Sequence, residues 1–245
     1  MPASGGRGRG VSRYVGQTIL ITGANRGIGL ALTSELLEMG HRVLATARQP
    51  AGATGLKTLW ERHPEALVIR EMDVISEASI IEAIAGAPPL DVLVNNAAVF
   101  PEEGDESIFA MNLEHFREAF ETNVLGVVRV TRILFPLLQQ GANPRIINIS
   151  SGAGSVADKE DHFYYAYSAS KAALNMVTRA LAAELRGICV VAMTPGWVRT
   201  EMGGPNAPLA PDESARAIAK TITSLTMEKT SHFIDRNGAD VSYGW

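Results

Sequence analysis

At 245 residues, 46% hydrophobic and 20% charged, the chain is long enough to bury a large core without disulfides or structural metals. Its single cysteine, Cys189, excludes an internal disulfide and a cysteine-clustered zinc site, and suits a reducing, cytoplasmic setting. The 22 basic and 26 acidic residues leave a formal charge of −4 with no basic run, so no nucleic-acid partner is expected. No apolar stretch approaches the roughly 18 residues of a membrane span, so no membrane partner is expected either.

Residues 1–15 are rich in Gly and Arg without apolar periodicity, and are expected to form a disordered tail ahead of one domain, 16–245. From there, short apolar runs alternate with longer amphipathic stretches. The runs are 18–21 (TILI), 42–46, 67–70, 91–94, 145–149, 188–193 and 231–234. Helix-like stretches cover 28–39, 77–85, 113–139, 167–185 and 212–224. Continuously apolar strands indicate a sheet covered on both faces. The alternation therefore predicts an α/β fold, a single doubly wound, Rossmann-type domain whose parallel seven-stranded sheet carries helices on both faces. In such sheets ligands bind beyond the carboxyl ends of the strands, so the residues after each strand carry the chemistry.

The first run leads into TGANRGIG (22–29), where Gly23, Gly27 and Gly29 permit a tight turn and close backbone approach to a pyrophosphate, with Asn25, Arg26 and Ile28 between and beside them. The next helix turns free amides and a positive dipole end toward an anion. The spacing, G-x3-G-x-G, differs from the commonest dinucleotide fingerprint and lacks the lysine of a P-loop. The second strand ends without the carboxylate usual in NAD sites; Arg48 stands there instead, and Arg26 lies in the loop. Two guanidiniums converging on one spot fit a 2′-phosphate, which favours NADP(H); two solvated surface arginines are the plain alternative.

After the third strand, Asp73 and Val74 serve equally as an adenine contact or as residues ahead of a helix N-cap at Ser76. After the fourth, Asn95, Asn96 and Ala97 either stitch backbone or touch a ribose. The long helix after the fifth strand opens with Tyr167-Ser168-Ala169-Ser170-Lys171, whose i, i+4 spacing sets a phenol and an ammonium on one face. Lowering a phenol from a pKa near 10 by about three units takes about 4 kcal/mol, which a cation about 4 Å away supplies at an effective dielectric near 20.

Together, the TGANRGIG loop, NNAA (95–98), TNVLG (122–126), ISS (149–151), YSASK (167–171) and PGWVRT (195–200) closely resemble the short-chain dehydrogenase/reductase superfamily. The resemblance implies that Tyr167 is the general acid of carbonyl reduction and that Lys171 lowers its pKa and binds the nicotinamide ribose. It implies further that Ser151 hydrogen-bonds the substrate oxygen, that Asn123 holds a water linking Lys171 to solvent, and that Pro195, Val198 and Thr200 meet the cofactor. An oxyanion-like oxygen needs two donors, and Ser151 with Tyr167 supplies them. Three departures stand out. Ala98 replaces the family's usual glycine. Ser151 and Tyr167 are sixteen residues apart, about three more than usual, with a charged 158–161 between them, which leaves Ser150 as a rival to Ser151. Pro195 to Pro211 is short, so a small lid is expected. Tyr164 and Tyr165 are decoys, since no lysine lies four residues on.

The ends PGWVRTEMGGPNAPL and HFIDRNGADVSYGW are similar to the subgroup of C-factor-type and sniffer-type carbonyl reductases. That resemblance implies NADP(H)-dependent reduction of a ketone, aldehyde or quinone to an alcohol, in a homodimer or homotetramer. The alternatives are a weakly catalytic nucleotide-binding signalling protein and an NAD-dependent alcohol dehydrogenase. The scattered His41, His63, His115, His162 and His232 have no ligand spacing, so no metal is expected. Phe116, Phe120, Val124, Val127 and Val128 form a core or subunit-interface stripe. Phe100, Phe163, Trp197 and Met202 flank the expected pocket.

Overall fold

A computed structural model describes residues 16–102, 107–160 and 164–245; the expected tail, 1–15, lies outside the described residues, as do His162 and Phe163. Strands and helices alternate as β1 (Thr18–Ile21), α1 (Gly27–Glu38), β2 (Arg42–Ala47), α2 (Thr54–Arg62), β3 (Leu67–Glu71), α3 (Glu77–Ala83) and β4 (Val92–Asn95). The second half continues with α4 (Glu114–Phe120), α5 (Val127–Leu138), β5 (Arg145–Ile149), α6 (Tyr165–Glu184), β6 (Cys189–Thr194), α7 (Pro211–Ser224) and β7 (Phe233–Asp235). The seven strands form one sheet in the order β3-β2-β1-β4-β5-β6-β7, and every pair is parallel.

Successive strand residues point to opposite faces, so each strand feeds two cores. Ile19, Ile21, Val43, Ala45, Val92, Val94, Ile147, Val191 and Met193 pack beneath α1 and α7. Leu20, Leu44, Leu93, Ile146 and Val190 pack against Val130, Leu134 and Leu138 of α5 and the end of α6. This is why the strands read as unbroken apolar runs. The chain reverses direction of winding between β1 and β4, and the crevice there is the natural ligand site of an open parallel sheet.

Three elements differ from the expectation. The long helix of 113–139 is divided by a π-helical turn, Glu121–Gly126, into α4 and α5. One wide turn shifts the apolar stripe too little to break its periodicity. Its Val124 and Val127 are buried, whereas Phe116, Phe120 and Val128 are half-buried. Helix α2 gave no clear signal because it buries only Leu56 and Leu59. Strand β4 extends through Asn95, whose amide donates to Asn148 of β5 at 2.8 Å inside the sheet. Asn95 is thus a sheet residue, not a ligand contact.

The glycine loop is packed too tightly for side chains. A Cβ on Gly29 would lie 2.5 Å from the Gly23 carbonyl oxygen and 2.6 Å from Asn96 Nδ2. Gly29→Ala is expected to cost about 1–3 kcal/mol, lowering Tm by several degrees in a thermal melt.

Candidate active site

Thr22 ends β1 and fastens the glycine loop to the residues after β4. Its hydroxyl accepts from the backbone N–H groups of Asn96 and Ala97, both at 3.0 Å, and Asn96 Nδ2 donates to the carbonyls of Thr22 (2.9 Å) and Gly23 (3.1 Å). The Asn96 side chain is therefore occupied with stitching. Gly23 holds φ +66 directly over Ala97, where a Cβ would come within 2.9 Å of the Ala97 Cα. Arg26 is the N-cap of α1, with no side-chain cap on the helix amides. Gly27 faces Thr200, whose Cγ2 would be 3.3 Å from an added Cβ, so the loop meets the segment after β6. Asn25 and Ile28 sit on the same turn, Asn25 exposed and Ile28 half-buried against the core.

The two arginines are differently engaged. Arg26 forms an ion pair with Glu201, both side chains well exposed, whereas Arg48 stands exposed at the end of β2 with no protein partner among the described residues. The expected pair of free guanidiniums is thus one free arginine and one already neutralised by a carboxylate. Asp73 accepts from the Ile75 N–H at 3.2 Å, and Ser76 is the N-cap of α3, accepting from the Ser79 N–H. Val74 is buried against Gly126 of the π turn, 2.9 Å from where a Cβ would stand.

The residues after β5 separate the two serines. Ser150 Oγ, 2% exposed, donates to Asn175 Oδ1 of α6 at 2.6 Å, and is consumed in the core. Ser151 Oγ instead caps the turn after β5, accepting from the Ala153 N–H at 3.1 Å, and lies near enough to the Tyr167 phenol to favour its ionised form. Burial pushes that phenol up from its ordinary value, and the nearby Ser151 hydroxyl offsets part of the rise. Desolvation sets the direction of this shift. Lys171 is 2% exposed, its Nζ donates to the Ile149 carbonyl at 2.8 Å and lies 5.6 Å from the Tyr167 ring centroid. Asn123 stands in the π turn, which packs against α6. Its Oδ1 accepts from Val99 N–H at 2.9 Å, and its Nδ2 donates to the Val99 carbonyl and Ser170 Oγ, both at 3.0 Å.

After β6, the Pro195 carbonyl is held by Ser214 Oγ at 2.7 Å, Val198 bridges to Leu209, and Thr200 Oγ1 accepts from Gly203 N–H at 3.1 Å. This short lid leaves Trp197 59% and Met202 44% exposed, with the indole donating to the Gly203 carbonyl. Of the two decoys, Tyr164 precedes α6 and Tyr165 opens it. Cys189 donates to the Thr226 carbonyl, and burial raises its thiol to about 11, which removes it from nucleophilic chemistry. Among the described residues no group of three or more His, Cys, Asp or Glu could hold a metal, and no helix is long and apolar enough to cross a membrane.

Two contributors were missed. Glu102 is buried against the start of α6, where its carboxylate accepts from the Ala166 and Tyr167 amides. The final segment reaches the loop after β5: Ser155 Oγ donates to the Tyr243 carbonyl, Val156 N–H to that of Trp245, and the Tyr243 hydroxyl lies 3.2 Å from where a Cβ on Gly152 would be. Both bridge elements far apart in sequence, beyond any local pattern.

A family model described as short chain dehydrogenase matches residues 17–208. The chain belongs to this family. It is 39% identical over 160 residues to the C-signal of Myxococcus xanthus, covering 63% of this chain and 93% of that protein. The carbonyl reductase Sniffer of D. melanogaster superposes with a TM-score of 0.88 at 31% identity, covering 94% of this chain and 100% of that one. An NADPH-bound carbonyl reductase from chicken fatty liver gives 0.86 at 34% identity, covering 94% and 99%. The family is an oxidoreductase family, which fits a phenol, a hydroxyl and an ammonium gathered at the end of β5.

Burial brings Lys171 down from 10.5 to about 8. Between those values the unfolded state holds the proton and the native state does not, so native stability rises with pH across that window. Near pH 7 the buried charge costs roughly 3 kcal/mol, and an orphaned Ile149 carbonyl would give back about 1. Lys171→Met is therefore expected to stabilise the fold by about 2 kcal/mol near neutral pH, and to flatten the stability rise between about pH 8 and pH 10, measured by urea unfolding.

Proposed function

We propose that the protein is an NADP(H)-dependent carbonyl reductase that converts a ketone, aldehyde or quinone to an alcohol. The observation that carries this reading is the buried Lys171 ammonium 5.6 Å from the Tyr167 ring centroid, with the Ser151 hydroxyl close to the same phenol. Two hydroxyl donors side by side suit one carbonyl oxygen that gains negative charge. The chain also fits a dinucleotide: Gly23 and Gly29 leave no room for side chains, and the amides opening α1 have no side-chain cap. Gly23, Asn25, Arg26, Gly27, Ile28 and Gly29 would cradle the phosphates, Asp73 and Val74 would flank the adenine, and Asn96, Ala97, Pro195, Val198 and Thr200 would line the nicotinamide half.

When bound, the reduced nicotinamide supplies the hydride that goes to the carbonyl carbon. Ser151 orients the carbonyl oxygen, and Tyr167 transfers its phenolic proton to it, so that the product leaves as the alcohol and the phenolate takes a proton back from solvent. Lys171 stabilises that phenolate by its charge and fixes a ribose hydroxyl. A phenol kept high by burial is a proton donor at neutral pH, which suits reduction over alcohol oxidation. The exposed Trp197 and Met202 support an apolar, aromatic-tolerant carbonyl. Leu125 and Met176, exposed on the π turn and α6, support association with a second copy.

Tyr167→Phe is expected to lower turnover at least about a hundredfold while changing NADPH affinity only a few-fold, read by NADPH consumption and fluorescence titration. Retained turnover would overturn the mechanism, and wild-type protein that binds NADPH yet reduces no carbonyl in a broad panel would favour a signalling binder. Because Lys171 titrates near 8, the single-turnover reduction rate is expected to fall above about pH 8, roughly tenfold per unit once its proton is lost. For cofactor choice, Arg48 is the free guanidinium. Arg48→Asp is expected to shift the NADPH-to-NADH affinity ratio about tenfold or more toward NADH, and Arg26→Ala much less, since Glu201 already neutralises Arg26. Equal NADPH and NADH binding by the wild type would instead point to an NAD-dependent enzyme.

A further inference from the structure

The two sides of the candidate site are joined by a strap, residues 99–102. Its first residue is gripped by the carboxamide of Asn123, which takes both backbone groups of Val99. Phe100 then lies edge-on to Tyr164 and to Tyr167, each at 4.9 Å between ring centroids. Glu102 ends the strap with a side chain only 4% exposed. Its Oε1 accepts from the Ala166 N–H at 2.7 Å and its Oε2 from the Tyr167 N–H at 2.8 Å.

A carboxylate is buried at low cost only where donors meet both of its oxygens, and here two backbone amides do so. Helix α6 needs them as much as Glu102 does. Tyr164, the residue before it, stands in the left-handed region (φ 59, ψ 54) and offers the helix no side-chain cap. The cap therefore comes from 64 and 65 residues away, and one of the amides it takes is that of Tyr167 itself.

We infer that Glu102 is a positioning residue for Tyr167: its carboxylate fixes the backbone of the proton donor and sets a negative charge against the amino end of α6. This inference rests on reading Tyr167 as the proton donor. The charge has a signed effect. A helix amino terminus carries partial positive charge, which favours a nearby phenolate, and Glu102 opposes it. Among the described residues, the other ionisable groups around Tyr167 are Lys171 on the same helix, Lys159, whose Nζ is bonded to Ser168 Oγ, and the half-buried His115 on α4, which packs on α6. A carboxylate favours the protonated form of both Tyr167 and Lys171, so its removal moves the loss of activity to lower pH whichever of the two sets that limb.

The test compares Glu102→Gln and Glu102→Asp by single-turnover oxidation of NADPH with para-nitrobenzaldehyde across pH. Glu102→Gln preserves shape, removes the charge and turns an NH2 group toward an N–H donor. The rate is expected to fall about tenfold or more with NADPH Kd and aldehyde KM within about twofold, and the alkaline limb to move down by about half a unit or more. Glu102→Asp keeps the charge on a shorter arm, so the rate should fall while the limb stays in place. A purely structural cap would lower Tm in both variants but leave the rate and the limb unchanged per NADPH-binding molecule, and that result would overturn the inference. If Glu102→Gln does not fold, Glu102→Asp decides: a slower reaction with an unmoved limb supports positioning, and a wild-type rate ends it. Tyr167→Phe run alongside separates the two claims. An inactive Tyr167→Phe with unaffected Glu102 variants removes only the positioning role, whereas an active Tyr167→Phe removes the reading beneath it.

Discussion

The ammonium of Lys171, a residue only 2% exposed, has the Ile149 carbonyl as its protein acceptor and carries a large desolvation cost, and the surrounding structure is arranged to keep it there. Helix α6 must come close to the end of β5 for Lys171 to reach Ile149. That approach is possible because Gly154 has no side chain: a Cβ would lie 2.8 Å from the carbonyl carbon and the Cβ of Lys171. Asn175, one turn further along α6, donates to the Gly154 carbonyl at 3.2 Å and accepts from Ser150. Asn148 and Thr178 add a bond between β5 and α6 another turn below. Polar groups thus pin a helix that apolar packing alone would leave free to slide, and the pinning sets where Tyr167 stands.

The same logic explains which parts of the site were legible in the sequence. Tyr167 and Lys171 lie four apart on one helix, so their pairing is a local property that spacing reveals. The glycine loop is legible for the same reason, since strand, turn and helix follow one another within a dozen residues. Ser150 and Ser151 are not separable locally, because both leave the same strand. The distinction is made by Asn175, which removes the first serine into the core. Arg26 shows the limit more plainly: its charge pointed to an anion, but the partner it meets is Glu201, brought in by the segment after β6.

The fold itself was read mostly from hydrophobicity, because a sheet covered on both faces leaves unbroken apolar runs. What escaped are features that leave periodicity almost unchanged. The π turn at Glu121–Gly126 inserts its extra width without breaking the stripe of α4 and α5, yet it carries Asn123, whose carboxamide takes both backbone groups of Val99. Helix α2 buries only two leucines and so has almost no pattern to detect. Glu102 reads in the sequence as one more acidic surface residue. Its burial follows from α6 lacking a cap of its own, a fact visible only once the left-handed Tyr164 is known.

Seen as a set, Thr22, Asn96, Asn123, Asn175 and Glu102 share one task. Each sends a side chain across to the backbone of a neighbouring loop or helix, and each joins segments that meet only at the carboxyl edge of the sheet. Apolar contacts cannot do this, because that edge is where the strands end and the core stops. Side-chain to backbone hydrogen bonds are directional, so they fix distances that dispersion forces would leave loose. A reaction that asks two hydroxyls to meet one carbonyl oxygen within hydrogen-bond reach is sensitive to displacements of about 1 Å. The stitching residues make such precision affordable in a site where a helix and several loop ends converge, and they place the burden on polar residues outside the pair of hydroxyls that meets the carbonyl oxygen.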